Sequence, residues 1–178
     1  MNIMDVNDLT EMNIMGMVKR EREFLNLAGE KVEIYHFKRS KSGILLLHDE
    51  EIVRNTITQL GDAQVADAMS DRGLTVPSYC AVGTGTLGKT AASTTLVTEN
   101  TRQPVDTGVQ GVGAADNDVI WTTTFTAFAG TPSLKEAGMF NAANPPGGVM
   151  FCYTDYSAKI MDPSDTLIIV WTLTCGAS

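Results

Sequence analysis

The chain has 178 residues, 43% of them hydrophobic, which is enough for one main domain built around a single good core. Its 13 basic and 21 acidic residues leave a formal charge of −8. That balance argues against nucleic acid as a partner, because phosphate binding needs a clustered basic face that releases counterions.

Residues 1–30 begin with five methionines, Met1, Met4, Met12, Met15 and Met17, and lack the cationic leader and uninterrupted apolar stretch of a signal peptide. Asp8 and Glu11 form a capping pair, and Leu9, Met12, Met15 and Leu25 give a helical stripe through a charged segment. The stripe predicts an amphipathic helix or docking arm. Leu9, Met12, Met15, Lys19 and Arg20 are its candidate binding residues.

Residues 31–74 read as a hairpin plus a helix packed on the main domain. Val32, Ile34, Tyr35 and Phe37 predict a strand from Lys31 to Arg39, and the Ser40 to Gly43 turn leads into Ile44-Leu45-Leu46-Leu47. Asp49 is placed to cap a helix carrying Ile52, Val53, Ile57, Leu60, Val65, Ala68 and Met69, with Gly61 kinking or dividing it and Gly73 closing it.

From about residue 75 charges become sparse, and Thr, Gly, Ala and Val take over. Strands are expected near Tyr79 to Val82, Thr94 to Glu99, Val119 to Phe128, Leu134 to Asn141, Val149 to Tyr156 and Thr166 to Thr174. Glycine and proline clusters separate several of them, among them Gly108 to Gly113 and Asn144 to Gly148. Such spacing without intervening helices indicates an antiparallel β-sandwich or jelly-roll-like domain over residues 75–178, preceded by the smaller α+β region. In the last strand Leu167, Ile169, Trp171, Leu173 and Cys175 share one face, expected to be core. The longest apolar run, Leu167 to Trp171, is far short of the roughly 20 residues of a membrane-spanning helix, so a soluble chain with no membrane partner is expected.

The chemistry-bearing motifs are few. Gly83-Thr84-Gly85-Thr86-Leu87-Gly88-Lys89-Thr90 matches the P-loop pattern, but the Thr-rich text after it favours a strand where a phosphate-binding loop needs a helix N-terminus. Neither Asp155 nor Asp165 falls where a magnesium-holding Asp would stand, at the end of a later apolar strand. The expectation is a glycine-rich turn with Lys89 incidental. His36 and His48 lack a nucleophile or metal-ligand spacing around them. Asp116 and Asp118 read as a loop that starts a strand. Cys80, Cys152 and Cys175 contain no Cys-x-x-Cys pair and read as reduced, buried side chains. No cofactor, metal or enzymatic activity is expected.

Three stretches resemble a family of tailed-bacteriophage virion structural proteins. They are Ala81 to Thr86 followed by Thr95, Leu96, Glu99 and Arg102; Glu136-Ala137-Gly138 with Phe140-Asn141; and Asp165-Thr166-Leu167 with Trp171-Thr172-Leu173. The likeness spans residues 75–178. It implies a non-enzymatic virion component, first of all a capsid decoration or cement protein on the shell exterior, made in the host cytoplasm. It further implies the major capsid protein as partner and a homo-oligomer, such as a trimer, as the working form. A tail-fibre or baseplate protein is the alternative, and a P-loop nucleotide-binding protein a remote one.

Overall fold

Strand formation follows the β-branched and aromatic runs, and the described residues form ten strands and one helix. They are β1 (Lys31–Arg39), β2 (Leu45–Arg54), β3 (Thr56–Ile57), α1 (Gln59–Met69), β4 (Tyr79–Gly83), β5 (Glu99–Pro104), β6 (Thr107–Gln110), β7 (Asp118–Phe125), β8 (Ser133–Phe140), β9 (Met150–Ile160) and β10 (Thr166–Thr174). The computed structural model describes residues 31–69, 76–86, 88, 90–110, 118–144 and 147–174.

Two five-stranded antiparallel sheets stack as a β-sandwich, one ordered β2-β1-β10-β7-β6 and the other β3-β9-β8-β4-β5. The register puts Val32 opposite Trp171, Ile34 opposite Ile169 and His36 opposite Leu167. The alternate residues of β1 and β10 therefore point together into the space between the sheets. There they meet Phe125, Cys80, Val82, Leu134, Met139, Phe151 and Met161 in one continuous core. The expected core face of β10 is observed for Leu167, Ile169, Trp171 and Leu173; Cys175 lies outside the described residues.

Three expectations change. The hairpin does not pack on the sandwich but belongs to it, because β1 pairs with both β2 and β10, and Glu30–Ala177 form one compact unit with no boundary at residue 75. Asp49 caps no helix: Asp49 to Arg54 continue β2, since Val53 faces inward opposite Val32 and strand pairing overrides the helical spacing. The helix starts later, at Gln59, where Thr58 is the N-cap and its Oγ1 accepts the Gly61 amide at 3.0 Å. Gly61 does not kink α1. It lets the first turn approach β9, where any Cβ would collide with the Phe151 carbonyl.

The other differences fall at the β5 edge of one sheet and the β6 edge of the other. Thr94 to Thr98 form no strand, and β5 begins only at Glu99. Gly108, assigned to a turn, lies within β6, the short edge strand beside β7. Its missing side chain admits the indole of Trp121.

Trp171 is fully buried, and its Nε1–H donates to Cys80 Sγ at 3.3 Å. Truncation to Ala removes a large core side chain and leaves a cavity. Trp171→Ala should therefore cost about 3–5 kcal/mol in equilibrium denaturation, and a near-neutral result would contradict this packing.

Candidate functional site

The densest polar construction outside the core sits on the outer face of the second sheet, beneath residues 84–98. Register places Glu136 of β8 opposite Gly83 of β4 and Asp155 of β9. Leu134 and Ala137 of β8 turn inward, while Glu136 is fully buried on the opposite side. A buried carboxylate is strongly disfavoured unless donors replace its water. Here the donors are backbone amides of the loop. Gly85 N–H and Thr98 N–H donate to Oε1 at 3.0 and 2.9 Å, and Val97 N–H donates to Oε2 at 3.0 Å.

A second tether lies one strand over. Asp155 accepts the Gly88 amide at 3.0 Å and the Tyr153 hydroxyl. Between the tethers Leu96 seats on Ala81, Phe140, Met150 and Tyr153, a satellite apolar cluster with Tyr79 at its margin. The loop is thus a cover, held by carboxylates and plugged by one leucine.

The glycines of the P-loop pattern acquire their reason from this arrangement. A Cβ on Gly83 would collide with the Thr98 carbonyl and with Glu136, and one on Gly85 with Val97 and Glu136. Close backbone approach to an anion is the same physical demand that a phosphate makes on such a loop; in this chain the anion is the protein's own carboxylate. No helix follows among the described residues, where Ala91 and Ala92 form a turn. Lys89 lies outside the described residues.

Arg102 of β5 closes the far side of the cover. Its Nε and Nη2 donate to the two oxygens of Glu99 at 2.9 and 2.7 Å, and its Nη1 donates to the carbonyls of Ala142 and Gly147 at 2.8 and 3.2 Å. Its guanidinium also lies 3.8 Å above the centre of the Phe140 ring. Asn141 Oδ1 accepts the Val149 amide at 2.7 Å and fixes the turn that presents those carbonyls.

Two further clusters of titratable groups lie on the β2 and β1 side of the sandwich. His36 Nε2 stands 3.0 Å from Asp165 Oδ2, both side chains buried, and the same oxygen accepts the Asp162 amide at 2.9 Å. Burial raises the Asp165 carboxyl, but that amide and His36 outweigh it and hold the group below the usual carboxylate range. His48 stacks edge-on against His36 with ring centres 5.1 Å apart. On β2, Asp49 and Glu51 face inward at the open sandwich edge and meet Lys159 of β9 at 2.6 and 2.8 Å. The Ser157 amide and hydroxyl also donate to Glu51. Burial lowers the Lys159 ammonium, yet the two carboxylates prevail and keep it above the ordinary lysine range; Lys159 in turn lowers both of them.

In the second cluster, a lysine held as a cation by two carboxylates is neither a base nor a nucleophile. Cys80 is buried, and desolvation pushes its thiol up to about 12. Cys152 is buried as well. Asp118 accepts a hydrogen bond from the Thr174 hydroxyl at 2.7 Å, and Asp116 lies outside the described residues. Leu9, Met12, Met15, Lys19 and Arg20 also lie outside them. No group of three or more metal-ligating side chains occurs among the described residues, and no helix there is long and apolar enough to cross a membrane.

Sequence reading did not single out Glu136, Asp155 or Arg102 as a set. Glu136 carried a signal nonetheless, as a lone acid inside an otherwise buried strand, Leu134 to Phe140. The chain matches no protein-family model, and no curated protein or solved structure shows significant similarity to it.

Two outcomes test this geometry. Glu136→Ala orphans three amides at once and should destabilise the protein by about 3 kcal/mol or more in urea denaturation. The Lys159 clasp sets a pH window. Carboxylates lowered on folding contribute stability above their unfolded pKa of about 4 and lose it as pH falls further, whereas the raised lysine contributes below about 10 and loses it at higher pH. Stability should therefore fall on both sides of that window, and Lys159→Met should flatten both branches.

Proposed function

We propose that this chain is a non-enzymatic structural protein of a tailed-phage virion, a decoration or cement protein that binds the major capsid protein on the shell exterior. What carries the reading is where the phage-like residues lie. Gly83, Gly85, Leu96, Glu99, Arg102, Glu136, Phe140 and Asn141 belong to one connected cover on the second sheet, joined by the Glu136 and Arg102 contacts. Residues separated by up to about sixty positions in sequence thus serve one construction, which supports the reading; the third stretch, Asp165 to Leu173, contributes to the other sheet.

The chemistry of the described residues is consistent with a binding role. Glu136, Arg102, Lys159 and Asp165 are engaged in holding strands and loops together. Residues 1–30, carrying Leu9, Met12, Met15, Lys19 and Arg20, are the proposed docking arm, in which methionines supply adaptable apolar contact. Many copies on a symmetric shell gain strength by avidity, so modest single contacts suffice.

Co-sedimentation with capsids that lack this protein tests the proposal. Saturation at many copies per shell, lost on deletion of residues 1–30, is the expected result. Absence of shell binding, with few copies per particle and affinity for cell-surface glycan, would move the chain to the tail. Saturable ATP binding abolished by Lys89→Ala would instead support a nucleotide-binding protein.

A further inference from the structure

The loop over the second sheet presents its amides to Glu136 as a receptor presents donors to a ligand. Oε1 takes the Gly85 and Thr98 amides and Oε2 takes the Val97 amide, so backbone donors serve both oxygens of the carboxylate. Glycine at 83 and 85 gives those oxygens room, since a Cβ at either position would come within 2.5 and 2.7 Å of Oε1. Amides that converge on an anion in this way form a nest. Its attraction lies in the main chain and is indifferent to which molecule carries the negative group.

The nest also has a frame apart from its occupant. Thr84 N–H donates to the Thr98 carbonyl at 2.9 Å and clips the two ends of the loop together. Gln59 N–H donates to the Ala91 carbonyl at 2.8 Å, Asp155 holds the Gly88 amide at 3.0 Å, and Leu96 is seated in its apolar cluster. These attachments remain when the side chain at 136 is shortened. The loop lies at the surface, with Val97 52% exposed, which gives a small solute a route to the vacated space.

We infer that the amides of Gly85, Val97 and Thr98 form a carboxylate-binding site, filled in this chain by Glu136, that accepts a free monocarboxylate once that side chain is withdrawn. The class of ligand follows from the geometry. Both oxygens of one planar group are engaged, whereas a tetrahedral phosphate would bring further oxygens into a buried place without donors. The size follows from the atoms removed. Glu136→Ala takes away Cγ, Cδ and both Oε atoms, which are the heavy atoms of acetate, and Glu136→Gly takes Cβ as well, which leaves the outline of propionate. In the native chain the tethered carboxylate outcompetes dissolved ones, because its binding is intramolecular. The site does not depend on the virion reading.

Urea denaturation of the full chain at neutral pH tests the inference, in sodium acetate, propionate or chloride at one ionic strength. The midpoint of Glu136→Ala should rise with the logarithm of acetate concentration, as binding to the folded state alone requires. It should move less in propionate, whose extra methylene meets the remaining Cβ. Glu136→Gly should reverse that preference. The wild type, with its nest already filled, should show only the general effect of each salt on apolar burial. Where a variant is unfolded without urea, the same comparison is read as recovery of native circular dichroism in sucrose, which favours the compact state. Equal responses of wild type and variants, one order of acetate and propionate in both variants, or no gain over chloride would overturn the inference.

Discussion

A carboxylate buried on the outer face of a sheet has to be supplied with donors, and in this protein that constraint organises one whole side of the sandwich. Glu136 takes three amides from a loop that has no ladder of its own. Because the loop is drawn in to serve it, Leu96 reaches Ala81, Phe140, Met150 and Tyr153, which would otherwise face water. Because the loop lies so close, Gly83 and Gly85 have no room for a side chain. Electrostatics, apolar burial and backbone sterics thus depend on one residue, and each hydrogen bond to the charge outweighs an ordinary neutral one.

The same economy recurs on the β2 and β1 side of the sandwich. A two-sheet stack leaves its sides open unless something spans the gap. Lys159 does so by reaching from β9 to two acids on β2, and His36 with Asp165 ties the start of β10 to β1. Desolvated charges are retained there because each is paired and hydrogen-bonded, so that losing one partner would strand the other. Among the described residues these paired charges join one element to another.

Much of the fold was legible from periodicity. The strand at Thr166–Thr174 alternates so regularly that its core face follows directly, and Tyr79–Gly83, Ser133–Phe140 and Lys31–Arg39 are framed by turn residues. The failures have physical causes. Ile52, Val53 and Ile57 satisfy a helical spacing as well as a strand, and pairing decides between them, with β1 for Ile52 and Val53 and with β9 for Ile57. Thr94 to Thr98 have strand-forming side chains, but Val97 and Thr98 give their amides to Glu136 instead of to a ladder. The P-loop pattern was set aside on local grounds, but the partner of its Gly85 lies some fifty residues away, and no local reading connects Gly85 with Glu136. Long-range partnership of this kind becomes visible only when the register of β4 and β8 is known.

The claim at the centre of this account is that Glu136 holds the loop amides closed in the native protein. Native-state amide hydrogen exchange resolved at Gly85, Val97 and Thr98 tests it most directly, since these loop amides have a side-chain acceptor in place of a strand partner. Protection at all three sites comparable with that of β4 and β8 is the result the account predicts. Exchange at the rate of an open loop, with the strands still protected, would contradict it.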